Sequence, residues 1–240
     1  MTNDKKIIIS VTSYKERLPF LSITLNSIYK QEMSADKIVL VLYKEDVKYI
    51  PYSINRDINE GKIELIVCDE DIKGHKKYYY TMLKYPKDII ITIDDDLIYD
   101  SDLISSLIEY NKKYPQCICA RRVHKIKKGE KYVNWDFEYD KILEPSMELF
   151  ATGVAGVLYP PNILNVQNLD INKIYDCINN DDVLLKHLQY ELSIKVVWVK
   201  NNKQHPTRNL FCYFFSKPLS TFNVVNNGND YYLKKFKCYE

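Results

Sequence analysis

Four runs of branched apolar residues, "KIIISV" (6–11), "KIVLVLY" (37–43), "IELIVC" (63–68) and "DIIITI" (88–93), fill the first hundred residues of this 240-residue chain. Each is too short for a helix and apolar on successive rather than alternate residues, so both faces of each strand must be covered. Between the first two runs, Leu18, Leu21, Leu25 and Ile28 recur at helical spacing. Before the fourth, "HKKYYYTMLKY" (75–85) predicts another helix. Alternation of this kind folds as a parallel sheet with right-handed crossovers, flanked by helices, which fixes the class as α/β. Ligands of such sheets bind outside the carboxyl ends of the strands. That rule gathers "TSYKER" (12–17), "DEDIKGHKK" (69–77) and "DDD" (94–96) on one edge.

After Asp96 the pattern is less regular. It predicts a helix near 102–113, a strand at 117–122, a hairpin or loop at 127–135, the apolar stretch "ELFATGVAGVLYPP" (148–161), a helix at 181–192 and a strand at 194–199. No repeat or linker divides the chain, so one domain is expected. Its net charge of +2, from 34 basic and 32 acidic residues, gives no bias toward nucleic acid. No segment nears the roughly 18 consecutive apolar residues of a membrane span, and "MTNDKKIIISVTSY" lacks a secretory pattern, so a cytoplasmic protein is expected. The cysteines at 68, 117, 119, 177, 212 and 238 show neither C-x-x-C nor zinc spacing and read as buried free thiols.

Asp94 and Asp96 stand just past a buried strand, where like charges raise each other's pKa unless a cation compensates. Hard oxygen ligands favour Mg²⁺, Mn²⁺ or Ca²⁺, and Mg²⁺ is usually held by one or two carboxylates plus substrate phosphates, which points to a nucleoside diphosphate. The simpler alternative is that the aspartates cap the helix near 102. A calcium EF-hand fails, because Tyr99 stands where its loop needs Gly. Thr12, Tyr14 and Arg17 offer a hydroxyl, an aromatic face and a guanidinium to a base and diphosphate, or merely a helix cap and a surface cation. The stretch opening at Asp69 adds Gly74, which permits an unusual backbone angle, and Lys73, His75, Lys76 and Lys77 as cations for phosphates. Asp181 and Asp182 open a helix, where the dipole favours acids; opposite a metal, such a carboxylate can take an acceptor's proton. His205 is a candidate third metal ligand from the tail.

Taken in order, "ISVTSYKERLPFLSITLNSIYKQ" with "DKIVLVL", "GHKKYYYTMLKYPKDIIITIDDDLIY", "GVAGVLYPPNIL" and "NDDVLLKHL" resemble nucleotide-sugar-dependent glycosyltransferases of the GT-A fold, specifically the family 2-like enzymes of bacterial surface-polysaccharide gene clusters. The resemblance spans most of residues 6–200. It implies a Rossmann-like GT-A domain with a nucleotide-sugar-binding half (1–100), a less regular half carrying acceptor and base (101–205) and a tail (206–240). By that resemblance Asp94 and Asp96 form the D-x-D pair that holds Mn²⁺ or Mg²⁺ against the diphosphate, with Asp95 near the ribose or sugar. Thr12, Tyr14, Arg17, Asp69, Gly74 and Lys77 fall to the donor, a UDP-sugar by preference. Asp182 falls to the catalytic base of an inverting single displacement, with Asp181 beside it. The acceptor implied is a glycan or lipid-linked glycan. The absence of a Q-x-x-R-W-type motif points to transfer of one sugar rather than polymer synthesis.

The tail "YYLKKFKCYE" either touches anionic lipid at the inner face of the membrane or docks as a helix. Two rival functions fit parts of the pattern. A haloacid dehalogenase-type phosphohydrolase would use Asp94 as nucleophile and Asp96 as acid, but it needs Thr or Val where Ile98 stands. A non-catalytic nucleotide-binding fold would need no base at all.

Overall fold

The computed structural model describes residues 5–201, 205–215 and 228–236. In the first hundred residues β1 (Ile7–Thr12), α1 (Leu21–Tyr29), β2 (Lys37–Tyr43), α2 (Tyr52–Asn59), β3 (Ile63–Cys68), α3 (Lys76–Lys84) and β4 (Ile89–Ile93) alternate, with strand bounds within one residue of the apolar runs. Only α2 lacks a sequence signal, because "YSINRDIN" buries just Ile54 and Asp57. There follow β5 (Leu97–Ile98), α4 (Leu103–Lys113), β6 (Ile118–Ala120), β7 (Val123–Lys125), β8 (Leu149–Ala151), β9 (Val157–Tyr159), α5 (Ile171–Asp176), α6 (Asp181–Glu191), β10 (Val196–Trp198), β11 (Thr207–Arg208), α7 (Leu210–Phe215) and α8 (Gly228–Lys235).

Seven strands make the central sheet in the order β10-β6-β9-β4-β1-β2-β3. β3, β2, β1 and β4 are parallel neighbours, and β9 alone runs antiparallel, between β4 and β6. The register sets Val11 beside Ile93 and Leu40, so the carboxyl ends of β1 and β4 finish within one residue of each other and β2 runs two residues further. Alternate residues then part to opposite faces. Ile9, Val11, Leu40, Ile91 and Ile93 pack with Leu21, Leu25, Leu103 and Leu107 of α1 and α4. On the other face Ile8, Val39, Val41 and Ile90 pack with Tyr78 and Met82 of α3 and Leu185 of α6. Burying each such side chain contributes roughly 1.5–3 kcal/mol, so strands covered on both faces supply most of the drive to fold. A buried hydroxyl locks the edge: Ser10 Oγ donates to the Lys77 carbonyl (2.5 Å) and lies 2.6 Å from Thr81 Oγ1, fixing the start of α3 over β1.

The tail is more structured than its weak periodicity suggests. α8 buries Tyr232 and Leu233 in a cluster with Val183 and Leu184 of α6, and Asp230 accepts from the Tyr132 amide at 2.7 Å. The helical part of the tail is therefore docked; residues 237–240, and with them Cys238, lie outside the described residues. Among the described residues no helix is long and apolar enough to cross a membrane. The described cysteines are free, and all but the half-buried Cys117 are buried.

Gly156 closes the turn before β9 at φ +94°, and a Cβ there would meet Leu103 Cδ1 at 2.6 Å. Both the backbone angle and the contact exclude a side chain. Gly156→Ala is expected to cost about 1–3 kcal/mol by urea denaturation; an unchanged midpoint would refute this account of the turn.

Candidate functional site

β4 delivers the three aspartates at the centre of the sheet edge, and each side chain meets a different partner. Asp94 is tethered by its amide, which donates to Tyr99 Oη (2.8 Å), and its Oδ1 lies 2.6 Å from Lys77 Nζ. Asp95 turns inward and is buried; Ser13 Oγ (2.6 Å) and Arg17 Nη1 (2.8 Å) occupy its two oxygens. Asp96 Oδ2 shares the same Arg17 nitrogen at 3.1 Å. Burial pushes the Asp96 carboxyl up to about 6; Arg17 pulls against this, while Asp94 and Asp95 add to it. Burial disfavours the Arg17 charge, but Asp95 and Asp96 outweigh it and hold the guanidinium protonated. None of the three aspartates caps α4, whose N-cap is Asp102.

The first loop has the same inward logic. Thr12 Oγ1 donates to the Val41 carbonyl (2.8 Å) and Ser13 serves Asp95, so neither hydroxyl caps a helix. The Tyr14 ring lies 5.4 Å from the Arg17 guanidinium carbon and stays partly exposed.

The stretch after β3 departs from expectation in two ways. The unusual backbone angle belongs to Lys73 (φ +49°), not to Gly74. Gly74 is needed because a Cβ there would stand 3.1 Å from the Asp181 carboxyl. His75 is not a phosphate cation: it is wholly buried, its Nε2 donates to the Cys177 carbonyl (3.0 Å) and its Nδ1 accepts from Tyr78 Oη (2.8 Å). Burial pushes its pKa down and keeps it neutral. Lys73 and Lys76 are also committed, to Asn179 and Asp71 respectively. Asp69 is 91% exposed and pairs with Lys44 at 3.2 Å. Lys77 alone of these cations enters the site, bridging Asp94 Oδ1 (2.6 Å) and Asp181 Oδ2 (3.2 Å). Burial opposes its charge, and Asp181, Asp94 and Asp182 together hold it charged.

α6 completes the site. Asn180 caps it by accepting from the Val183 amide (3.2 Å), which frees both following acids from capping. Asp181 takes Lys77; Asp182 Oδ1 accepts from the Gly153 amide at 3.0 Å. Among the described residues the second Asp182 oxygen makes no hydrogen bond. The two carboxyls are driven apart in pKa. Asp181 is lowered: burial opposes this, but Lys77 prevails. Asp182 is pushed up to about 8, by burial first and by Asp181 next. Pairs split in this way mark sites of acid–base chemistry.

Gly153 was not singled out by sequence reasoning, although it opens "GVAGVLY". A Cβ on it would lie 3.3 Å from Lys77 Nζ, 3.4 Å from Asp182 Oδ1 and 3.8 Å from Asp94 Oδ1. The three charged groups thus converge on a space that only a glycine leaves open. Tyr99 and Tyr159 were missed too, since two among 21 tyrosines carry no mark. Burial raises both hydroxyls, with Asp94 acting next on Tyr99 and Asp182 next on Tyr159.

His205 lies two residues before β11, which pairs antiparallel with β5, and its Nδ1 donates to the Pro206 carbonyl (3.0 Å). The residue that reaches Asp96 from this strand is Asn209, whose amide donates to the Asp96 carbonyl at 2.8 Å. Among the described residues no group of three or more His, Cys, Asp or Glu side chains can hold a metal. Asp94 and Asp96, with side chains 25% and 30% exposed, each spend one oxygen on a cation. Two hard carboxylates fit Mn²⁺ or Mg²⁺ where phosphate oxygens supply the remaining ligands.

No protein-family model and no curated protein matches this chain. Among solved structures it is similar to GalNAc-T7 with UDP, GalNAc and Mn²⁺ (10% identity, TM-score 0.59, covering 83% of this chain and 43% of that one). It is similar also to the mannosyltransferase PcManGT from Pyrobaculum calidifontis in complex with GDP-Man and Mn²⁺ (14%, 0.53, 96% and 70%). A third likeness is to CMP:2-keto-3-deoxy-manno-octonic acid synthetase complexed with CTP (12%, 0.50, 81% and 89%). At these identities the likeness shows the fold, which is GT-A-like: a mostly parallel sheet flanked by helices.

Proposed function

We propose that the protein is a glycosyltransferase that moves one sugar from a nucleoside-diphosphate sugar to a hydroxyl of a glycan or lipid-linked glycan acceptor, with inversion. The observation that carries this reading is Asp182: its Oδ1 is pinned by the Gly153 amide, its other oxygen is open and its proton affinity is raised, opposite the aspartates that end β4. The fold is shared also with CMP:2-keto-3-deoxy-manno-octonic acid synthetase complexed with CTP, so it is Asp182 and not the fold that favours sugar transfer. A phosphohydrolase of the haloacid dehalogenase type would need Thr or Val where Ile98 stands.

In the proposed step Asp182 takes the proton of the acceptor hydroxyl. The hydroxyl oxygen bonds to the anomeric carbon as the bond from that carbon to the diphosphate oxygen breaks, and the electron pair leaves with the diphosphate. Asp94 and Asp96 would hold Mn²⁺ or Mg²⁺ together with the diphosphate oxygens, and His205, with Nε2 unused, is retained as a candidate ligand. Bound there, the metal supplies Lewis-acid stabilisation of the leaving group. Arg17 and Lys77 neutralise the three aspartates, and Asp95 fixes where Arg17 stands. Thr12, Tyr14 and Asp69 line the donor's base and ribose, where Tyr14 offers an open ring and Asp69 an exposed carboxylate. Gly74 lets Asp181 approach. A UDP-sugar is the donor tested first.

A thermal-shift series of UDP, GDP, CDP and dTDP sugars, with and without Mn²⁺, tests the donor site. Ligand at about 100 times its Kd adds roughly 2.7 kcal/mol, or about 5–10 °C for a chain of this size. One base is expected to stabilise the protein, and more so with Mn²⁺. Stabilisation independent of metal would remove the metal role, and none with any nucleotide would remove the donor reading.

A further inference from the structure

The turn from β6 to β7 carries two arginines with opposite fates. Arg121 is buried and pairs with Asp102 beneath the sheet edge (2.8 Å). Arg122 points to the other side, where its Nη1 donates to Thr152 Oγ1 (3.2 Å) and its Nε to Glu138 Oε1 (3.2 Å). The next residue after Thr152 is Gly153, whose amide holds Asp182. The guanidinium and the open Asp182 carboxyl are therefore anchored on consecutive residues, Thr152 and Gly153, where a short 3-10 turn begins, with no side chain at Gly153 to divide them. Tyr132, packed beneath, lies in the field of both groups: after burial, Asp182 raises its hydroxyl and Arg122 lowers it.

From this arrangement we infer that Arg122 is the anion-binding edge of the acceptor site, so that the acceptor carries an oxyanion, phosphate or carboxylate, close to the hydroxyl it offers. The inference rests on the transferase reading for the word acceptor, but not for the binding itself. Arg122 Nη2 has no hydrogen-bond partner among the described residues and reaches solvent, although the side chain is only 16% exposed. A planar guanidinium with one edge already fixed by Thr152 and Glu138 presents its remaining donors in a fork that suits two oxygens of one anion. Glu138 is 46% exposed, and an exposed pair of this kind holds Arg122 weakly. The charge balance points the same way. Among the described residues Asp94, Asp95, Asp96 and Asp181 face Lys77 and Arg17, a balance that favours an anion only where a further cation stands on the acceptor's side. Arg122 is that cation.

The test titrates the full chain, saturated with UDP and Mn²⁺ so that the diphosphate site is filled, with glycerol 1-phosphate, glucuronate, glycerol and methyl glucoside by calorimetry. At least one of the two anions is expected to bind, and which one names the oxyanion; the neutral pair should not bind. Arg122→Met should weaken that binding at least fivefold, Arg122→Lys less, and Glu138→Gln should leave it equal or tighter. Vesicles of phosphatidylglycerol against phosphatidylcholine separate a lipid phosphate from a soluble one. Equal anion affinity in wild type and Arg122→Met, or binding of glycerol as tight as that of its phosphate, would overturn the inference. If Arg122→Met fails to fold, the Glu138→Gln and Arg122→Lys arms decide: anion affinity that falls at Glu138→Gln, or is unmoved at Arg122→Lys, also overturns it. The UDP shift is read first and separately, so its absence rejects the donor reading while the anion titration still stands.

Discussion

Lys77→Met is expected to destabilise the protein by about 3–5 kcal/mol and to abolish transfer. The magnitude follows from what the substitution leaves behind. Lys77 is 8% exposed and joins Asp94 at 2.6 Å to Asp181 at 3.2 Å. Without the ammonium, the two carboxylates confront each other across an apolar stem, in a recess that water reaches poorly. Urea denaturation gives the stability, and a transfer assay with stabilised, folded protein gives the rate. A loss under 1 kcal/mol would show that the bridge is solvated and that α3 and α6 are held by their apolar contacts alone.

The second large effect belongs to Asp182. Asp182→Asn keeps the hydrogen bond from Gly153 but removes the proton acceptor, and should lower kcat about 10²–10⁴-fold while UDP still binds. The wild-type rate carries a pH signature of definite sign. A base works only when ionised, and Asp182 is pushed up to about 8, so kcat/KM should rise with pH and level off above that value. Near neutral pH the protonated form predominates, so a minor share of the enzyme holds the base ready. Asp181→Asn removes the charge that, after burial, raises Asp182, so the profile should move to lower pH. A profile that stays put would detach the two acids from each other. Stability obeys the same sign: the native state keeps the Asp182 proton after the unfolded chain has lost it, so this group's contribution declines from about pH 4 to pH 8. Asp181, lowered by Lys77, acts in the opposite direction, adding stability as pH rises through its ordinary range.

The first half of the fold was legible because a strand buried on both faces writes itself as an unbroken apolar run. β2 and β3 match their runs residue for residue, and α6 ends within one residue of its expected bound. Strands of two or three residues such as β5, β9 and β11 are too short to show a period, and "GVLY" carries no sign that β9 is antiparallel. At the site, residue type was readable and depth was not. His75 and Lys77 are two positions apart in one basic cluster, yet one is a neutral interior group and the other the central cation. Gly74 was expected for its backbone angle and is required for its missing atom. Asp95, between two ligand-like neighbours, faces inward in the turn that follows β4, where Ser13 and Arg17 take its two oxygens.

The reversed direction of β9 divides authorship of the reaction between two stretches of chain. Running against β4, it places its own beginning, with Thr152 and Gly153, where the parallel strands place their ends. On the transferase reading, the described residues proposed for the donor's phosphates, Arg17, Lys77, Asp94 and Asp96, thus precede residue 100, apart from His205, and those proposed for the acceptor, Arg122 and Asp182, follow residue 120. Three ladder pairs, Ile90 to Tyr159, Ile91 to Leu158 and Thr92 to Val157, join β9 to β4, and the Lys77–Asp181 pair spans the same boundary at the site. On that reading, substitutions within residues 121–192, which carry Arg122 and Asp182, are expected to change what receives the sugar before they change what is given.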